Sequence, residues 1–488
     1  MKLDRPCQSY WRHVLLVLSL CVLSACSSEK ANTQSSKAST PSTQRSGACT
    51  SPDPTQALPT PTAPTLSTLE QAYWCLLDHH VTRKTLDNRT LLGGAFSAMV
   101  QELLSKNLDQ STAMPPSLTG DAEADWSSFS TVYQRVSKAL SQDAKLQQEL
   151  AAATMQGMVQ SLHDNHTFWN ISAPASVLKQ YPQGVNYGLG IVTSATNGAF
   201  YLPEARSPLF VTEVQPNSPA EQQHIAPGDS IVSVNGSTPF TNNQLNPGVM
   251  SWLNPQLSSN AVVHVTLSRP KTGRIWTVTL IPTFFAPSMA PVASARVVDN
   301  TLAYVKLTQV SPDAGDQVVK AIDSLHLGNR LRGIILDVRD NGGGSPEGVS
   351  QLLGAFVHGQ TLGYLVDSEG KRTILPTTDT VSLLHQPLVL LTNRRCASAC
   401  EELSGAMKDL KIAPLVGSRT AGAIAGAATP YLLNDGSTLG ITTQRGLGAN
   451  GETLDGSGVA PDYEVPQTAQ ELSSGQDPAI EKGIDLLR

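Results

Sequence analysis

A short apolar run, Gly333-Ile334-Ile335-Leu336-Asp337, breaks directly into Val338-Arg339-Asp340-Asn341-Gly342-Gly343-Gly344. A run that short, without alternation, reads as a strand buried on both faces, and the glycines after it leave backbone N–H groups uncovered. Around it the pattern alternates. Strands are predicted over 303–307 and 387–391, with helices over 314–325, 346–356 and about 399–410. Strand alternating with helix calls for a sheet covered by helices, so an α/β core is expected over 287–488.

Two other textures precede that core. From 68 to 175 apolar residues recur at helical spacing, as in Leu91-Leu92-Gly93-Gly94-Ala95-Phe96-Ser97-Ala98-Met99-Val100, with Asp87-Asn88 placed to cap that helix. From 184 to 283 short strands alternate with Gly, Pro and Asn turns. There Phe210-Val211-Thr212-Glu213-Val214 leads to Asn217-Ser218-Pro219-Ala220-Glu221, then Pro227-Gly228-Asp229-Ser230-Ile231 and Asn235-Gly236. This order resembles a PDZ domain of the bacterial protease type. The resemblance implies that Leu189, Gly190 and Ile191, in Tyr187-Gly188-Leu189-Gly190-Ile191, turn backbone N–H groups toward a peptide C-terminus.

The chain starts differently again. Lys2, Arg5 and Arg12 precede an apolar run from Val14 to Val22, too short to span a bilayer, which ends in Leu23-Ser24-Ala25-Cys26. That ending resembles a bacterial lipobox and implies removal of a signal peptide, 1–25, with lipidation of Cys26; an ordinary secretory signal would also export the chain. Ser27 lacks the aspartate linked to inner-membrane retention. The expected location is therefore the cell envelope, lipid-anchored, on the outer membrane facing the periplasm where the cell has one. Residues 26–67 are mostly Ser, Thr, Pro, Gln and Ala, a flexible tether by composition. Of the seven cysteines, Cys49, Cys75, Cys396 and Cys400 remain beyond Cys26. An oxidising compartment permits disulfides, the simplest being Cys49–Cys75 and Cys396–Cys400, with other pairings open. A net charge of −6 and no basic stripe speak against a nucleic-acid partner.

Between a predicted strand and helix lies Asn393-Arg394-Arg395-Cys396-Ala397-Ser398-Ala399-Cys400-Glu401. With the glycine turn, the PDZ-like segment and the helices, it resembles the C-terminal-processing (tail-specific) serine peptidases and their tricorn-protease relatives. The resemblance covers 69–488. It implies a crotonase-like α/β catalytic core with an N-terminal helical region and an inserted, mostly β, PDZ domain. It also implies Ser398, three residues before a glutamate, as the nucleophile. Elementary physics agrees, because a serine at a strand-to-helix turn is exposed and the helix N-terminus favours developing negative charge. The Ala399 N–H is then one oxyanion donor, and the glycine run supplies the other, Gly343 by the family match with Gly342 as the alternative.

One branch of that family uses a lysine base in Gly-Glu-x-Thr-x-Gly-Lys-Gly. Here the stretch is Gly417-Ser418-Arg419-Thr420-Ala421-Gly422-Ala423-Ile424, and alanine cannot take a proton. Lys408 and Lys411 read as part of a solvated face. The other branch uses serine, histidine and an acid. Asp164-Asn165-His166-Thr167 matches its Asp-x-His-Thr pattern, implying His166 as base with His163 as competitor. Asp455-Gly456-Ser457-Gly458-Val459-Ala460-Pro461-Asp462 matches its Glu-x-x-Gly-Val-x-Pro-Asp pattern. Asp455 therefore takes the acid role, one methylene shorter than the glutamate, with Glu452 in reserve and Asp462 holding the turn.

The expected function is a lipid-anchored serine endopeptidase that cleaves extended or unfolded polypeptides through an acyl-enzyme, with PDZ recognition of peptide C-termini. It needs no metal or cofactor. Two rivals remain: a catalytically inactive PDZ-containing peptide-binding lipoprotein, and a fold relative that binds lipophilic ligands. Neither the natural substrate nor the oligomeric state is legible.

Overall fold

Gly333–Asp337 is buried at every position and forms an inner strand of a six-stranded sheet. The computed structural model describes residues 49–488 apart from 54–58, 60, 109–110, 112, 141, 171–174, 182–183, 196–204, 256–260, 425 and 427. Sheet order is Ala293–Val298, Leu302–Leu307, Gly333–Asp337, Leu388–Thr392, Leu415–Gly417, Tyr463–Glu464, with only the first pair antiparallel. Helices Ala314–Asp323, Pro346–Gly354 and Ala399–Asp409 cover one face, where Ile334 and Leu336 meet Val318, Leu352 and Leu403. The C-terminal helix Pro478–Leu487 covers the other, against Ile335, Val389 and Leu391. Two apolar faces explain why the run shows no alternation. At its end the buried Asp337 carboxylate binds Arg339 at 2.7 Å, and Arg339 binds Asp477 at 2.7 Å, tying the base of the glycine turn to the C-terminal helix. This is the expected α/β core.

The PDZ segment forms a five-stranded antiparallel sheet in the order Ile191–Ala195, Leu209–Val214, Ser230–Val234, Val263–Arg269, Arg274–Leu280. The chain enters and leaves it through the paired strands Asn186–Gly188 and Thr283–Phe285, the geometry of an insertion. Four helices precede it: Leu66–His79, Asn88–Ser105, Ala122–Ala139 and Ala144–Gln160. Asp87 caps the second, its side chain accepting from the Arg89 N–H. These helices do not close a core by themselves. Tyr431, Leu433, Leu439 and Ile441, from the hairpin of Ala428–Leu432 and Thr438–Thr442, are buried among their side chains. At roughly 1.5–3 kcal/mol for each large apolar side chain fully buried, that contact fixes the helices on the α/β domain. The Cys49–Cys75 disulfide, Cα–Cα 5.6 Å, secures the start of the described chain to the first helix.

Cys26 and the rest of 1–48 lie outside the described residues. Among the described residues no helix is long and apolar enough to cross a membrane.

Candidate active site

The strand Leu388–Thr392 turns through Cys396, Ala397 and Ser398 into the helix Ala399–Asp409. Ser398 sits at φ 55°, ψ −126°, a left-handed conformation that costs a side-chain-bearing residue about 1–3 kcal/mol and persists only where the surroundings enforce it. The enforcement is visible. The Ser398 N–H donates to the Ala423 carbonyl at 3.0 Å and to Glu401 Oε2 at 3.3 Å. Glu401, wholly buried, also accepts from Gly422 N–H at 2.6 Å, Ala423 N–H at 2.7 Å and the Thr420 hydroxyl at 2.5 Å. The Cys396–Cys400 disulfide, Cα–Cα 5.3 Å, closes the same turn, so the simplest pairing is the one present.

The glycine run packs directly on this turn. Gly343 has φ 104°, and a Cβ there would lie 2.7 Å from the Ala397 carbonyl oxygen, 2.8 Å from Ser398 Cβ and 3.0 Å from Ala399 N. Its N–H, the expected oxyanion donor, already has an acceptor in this structure. That N–H donates to Asn341 Oδ1 at 2.9 Å, and buried Asn341 is anchored in turn by Nδ2 on the Leu307 carbonyl at 3.1 Å. An Asx turn has taken the donor. The N–H groups of Gly342 and Gly344 have no acceptor among the described residues, and Gly344 lines a cavity beside Ser398. The Ala399 N–H opens the helix and has no intrahelical acceptor.

His166 lies between the helix Ala144–Gln160 and the strand Phe168–Asn170. Asp164 shapes that loop, accepting from the His166 N–H at 2.8 Å and the Thr167 hydroxyl at 2.6 Å, and contacting His80 Nε2 at 3.0 Å. Burial alone would raise the Asp164 carboxyl, but these bonds hold it well below the usual range. Phe168–Asn170 pairs with Thr438–Thr442, and the Thr442 N–H donates to the Thr167 hydroxyl at 3.1 Å, so the loop is zipped onto the α/β domain. Burial lowers the His166 pKa, against the opposing charges of Asp164 and Asp455. Partial burial and the Asp164 charge raise that of Asp455, which stands at the exposed rim, against the pull of His166. His166 and Asp455 thus each feel the other's charge. The Gly456 N–H donates to the Gly422 carbonyl at 2.8 Å, beside the Ala423 carbonyl that takes the Ser398 N–H. Segments carrying Ser398 and Asp455 thus attach to consecutive residues of one loop.

The reserve residues are engaged elsewhere. Glu452 lies beside Asp409, whose carboxyl is pushed up to about 6 by burial and by that neighbour. His163 is exposed at φ 49°. Lys408 binds the Ala460 carbonyl at 2.6 Å and Asp462 at 3.1 Å, and Lys411 is exposed. Asp462 also accepts the Leu415 N–H at 2.9 Å and so holds the turn as expected. The sequence reading missed His80, which comes from a distant helix end with no motif around it. It also missed the clamp made by Glu401.

Residues 301–465 match peptidase family S41 and residues 178–246 match the PDZ domain. Residues 301–465 are thus an S41 peptidase segment, and residues 178–246 a PDZ domain. It is 30% identical over 316 residues to carboxyl-terminal-processing peptidase 2, chloroplastic, of Arabidopsis thaliana, covering 64% of this chain and 59% of that protein's length. It is 23% identical over 381 residues to the carboxy-terminal processing protease CtpB of Bacillus subtilis (strain 168), covering 77% of this chain and 76% of that one. Among solved structures, mature CPAF shares the fold, with a TM-score of 0.51 at 12% identity over 86% of this chain and 96% of the other.

In the PDZ segment the loop before Ile191–Ala195 is held by two backbone hydrogen bonds. Leu189 carbonyl accepts from Ala220 N–H at 3.0 Å and Gly190 carbonyl from Gln215 N–H at 2.9 Å. In a planar trans peptide the next N–H points the opposite way, so those of Gly190 and Ile191 face away from these acceptors. Ile191–Ala195 is an edge strand of its sheet, the position to which an added peptide strand would pair. Gly190 has φ 74°, and a Cβ would fall 2.0 Å from Ser218 Cβ, so only glycine fits.

Proposed function

We propose that this protein, with its S41 and PDZ segments, is a serine endopeptidase that cleaves extended or unfolded polypeptides; its relatives are named as carboxyl-terminal-processing peptidases and proteases. Ser398 attacks the carbonyl, His166 takes and returns the proton, and Asp455 orients and stabilises the imidazolium. The Ala399 N–H and one N–H of the glycine run receive the oxyanion, and the acyl-enzyme is then hydrolysed by water. The observation that carries this reading is the enforced left-handed Ser398 at a helix N-terminus, packed against the Gly343 backbone. One observation favours the rival, a catalytically inactive peptide-binding lipoprotein: the Gly343 N–H is occupied by Asn341. Substrate binding must either turn Asn341 aside or use the free N–H of Gly342 or Gly344.

The PDZ module selects substrates by their C-terminal carboxylate at Leu189, Gly190 and Ile191. An unfolded peptide with a free C-terminus is expected to be cut faster than its C-terminally amidated twin, and Gly190→Val should erase that difference. Equal rates for both peptides in the wild type, compared by mass spectrometry, would leave the module a structural brace.

The protein acts in the cell envelope, anchored through lipid on Cys26 and facing the periplasm where there is one. The lipobox and the two disulfides support this location. Cells fed a palmitate label should yield labelled wild type and unlabelled Cys26→Ala. A wild type that takes no label and is recovered without detergent contradicts the anchor.

A further inference from the structure

The cavity beside Ser398 has a volume of about 50 Å³, room for roughly four waters at about 10–15 Å³ each. Leu365, Ile424, Leu447 and Leu454 give it apolar walls, and Glu402 is the one ionisable side chain on it. Glu402 lies one helical turn after Ser398, its N–H on the Ser398 carbonyl at 3.1 Å, which brings its side chain to the same side of the helix. Its carboxyl has no hydrogen-bond or ion partner among the described residues. Burial, reinforced by the charge of Glu347, pushes that carboxyl up to about 7. Half-buried on an apolar wall and near Glu347, the Glu402 carboxylate is poorly stabilised by the protein itself. An entering cation supplies the missing partner.

The position of the cavity identifies which substrate side chain arrives there. Ser398 and Ala399 line its opening side in the proposed reaction, the hydroxyl and N–H that meet the carbonyl under attack if the protein is the peptidase proposed above, a reading on which this inference rests. The side chain of the residue bearing that carbonyl, immediately N-terminal to the scissile bond, is the one nearest the opening. We propose that Glu402 is a specificity-determining residue that makes this protein prefer lysine at that position, the stem lying along the leucines and the ammonium on the carboxylate. A small cavity with apolar walls and one carboxyl suits a linear butylammonium.

The test uses two otherwise identical peptides with lysine or norleucine before the cleaved bond, which share a stem and differ in the ammonium. Wild-type and Glu402→Gln proteins are compared by the lysine-to-norleucine ratio of kcat/KM, with fluorophosphonate labelling of Ser398 reporting an intact site in each. The wild-type ratio is expected to exceed about thirtyfold, in line with a buried charge pair, and to collapse to near unity in Glu402→Gln. A wild type that cuts norleucine as well as lysine, or an unchanged ratio in the variant, overturns the role of Glu402 while labelling and turnover keep the peptidase reading. Absence of labelling and of turnover on either peptide overturns both.

Discussion

His166→Ala is expected to lower kcat by about a thousandfold or more, the scale of losing one member of a catalytic triad. The imidazole must be neutral to accept the Ser398 proton, so activity rises with pH as His166 deprotonates. Its pKa is lowered by burial, an effect that outweighs the opposing charges of Asp164 and Asp455. The rising limb of kcat/KM therefore falls below the ordinary histidine value of about 6.5. Asp455→Asn removes one of the opposing charges and should move that limb lower still, while cutting kcat nearly as much as loss of the histidine. Lys408→Ala should stay within a few-fold of wild type, because that ammonium holds the Ala460 carbonyl and Asp462. Full activity in His166→Ala, measured with a peptide substrate across pH, removes the histidine from the mechanism.

Gly343→Ala is expected to lower kcat/KM by about a hundredfold or more, comparable to losing an oxyanion-hole donor. The added Cβ would meet the Ala397 carbonyl oxygen at 2.7 Å and Ser398 Cβ at 2.8 Å, from a residue already at φ 104°. Its only relief is to push the glycine run away from the Ser398 turn, which separates the two halves of the proposed oxyanion site. Gly342→Ala, where a Cβ meets nothing within 4 Å, should lose far less. Circular dichroism and thermal melts of both variants separate a misplaced turn from an unfolded protein. Equal activity in the two would show that the contact between Gly343 and Ser398 has no part in turnover.

Much of this architecture could be read from local pattern. The buried strand 333–337, the helices over it and the PDZ turns each carry a signal within a few residues. What could not be read is non-local. The strand Gln444–Gly448 pairs with Thr361–Asp367 across a long stretch of chain, and neither has the apolar alternation that marks a strand by itself. The hairpin 428–442 completes the core of helices that begin at Leu66, a partnership invisible to any sequence window. At the site, Ser398, His166 and Asp455 came from family resemblance, because residues so far apart in sequence have no spacing to measure. The engagement of the Gly343 N–H was not read from the sequence: Asn341 stands two residues before it and accepts that N–H in an Asx turn. Glu402 has no motif around it, and only its place on the cavity wall sets it apart from other charged helix residues.

Ser398 is proposed as an activated nucleophile, which is tested by reaction with a fluorophosphonate probe followed by mass spectrometry of the modified peptide. The expected result is a single adduct on Ser398, formed in the wild type, absent in Ser398→Ala and strongly slowed in His166→Ala. A folded wild type that forms no adduct, or one whose adduct lies on another residue, contradicts the account.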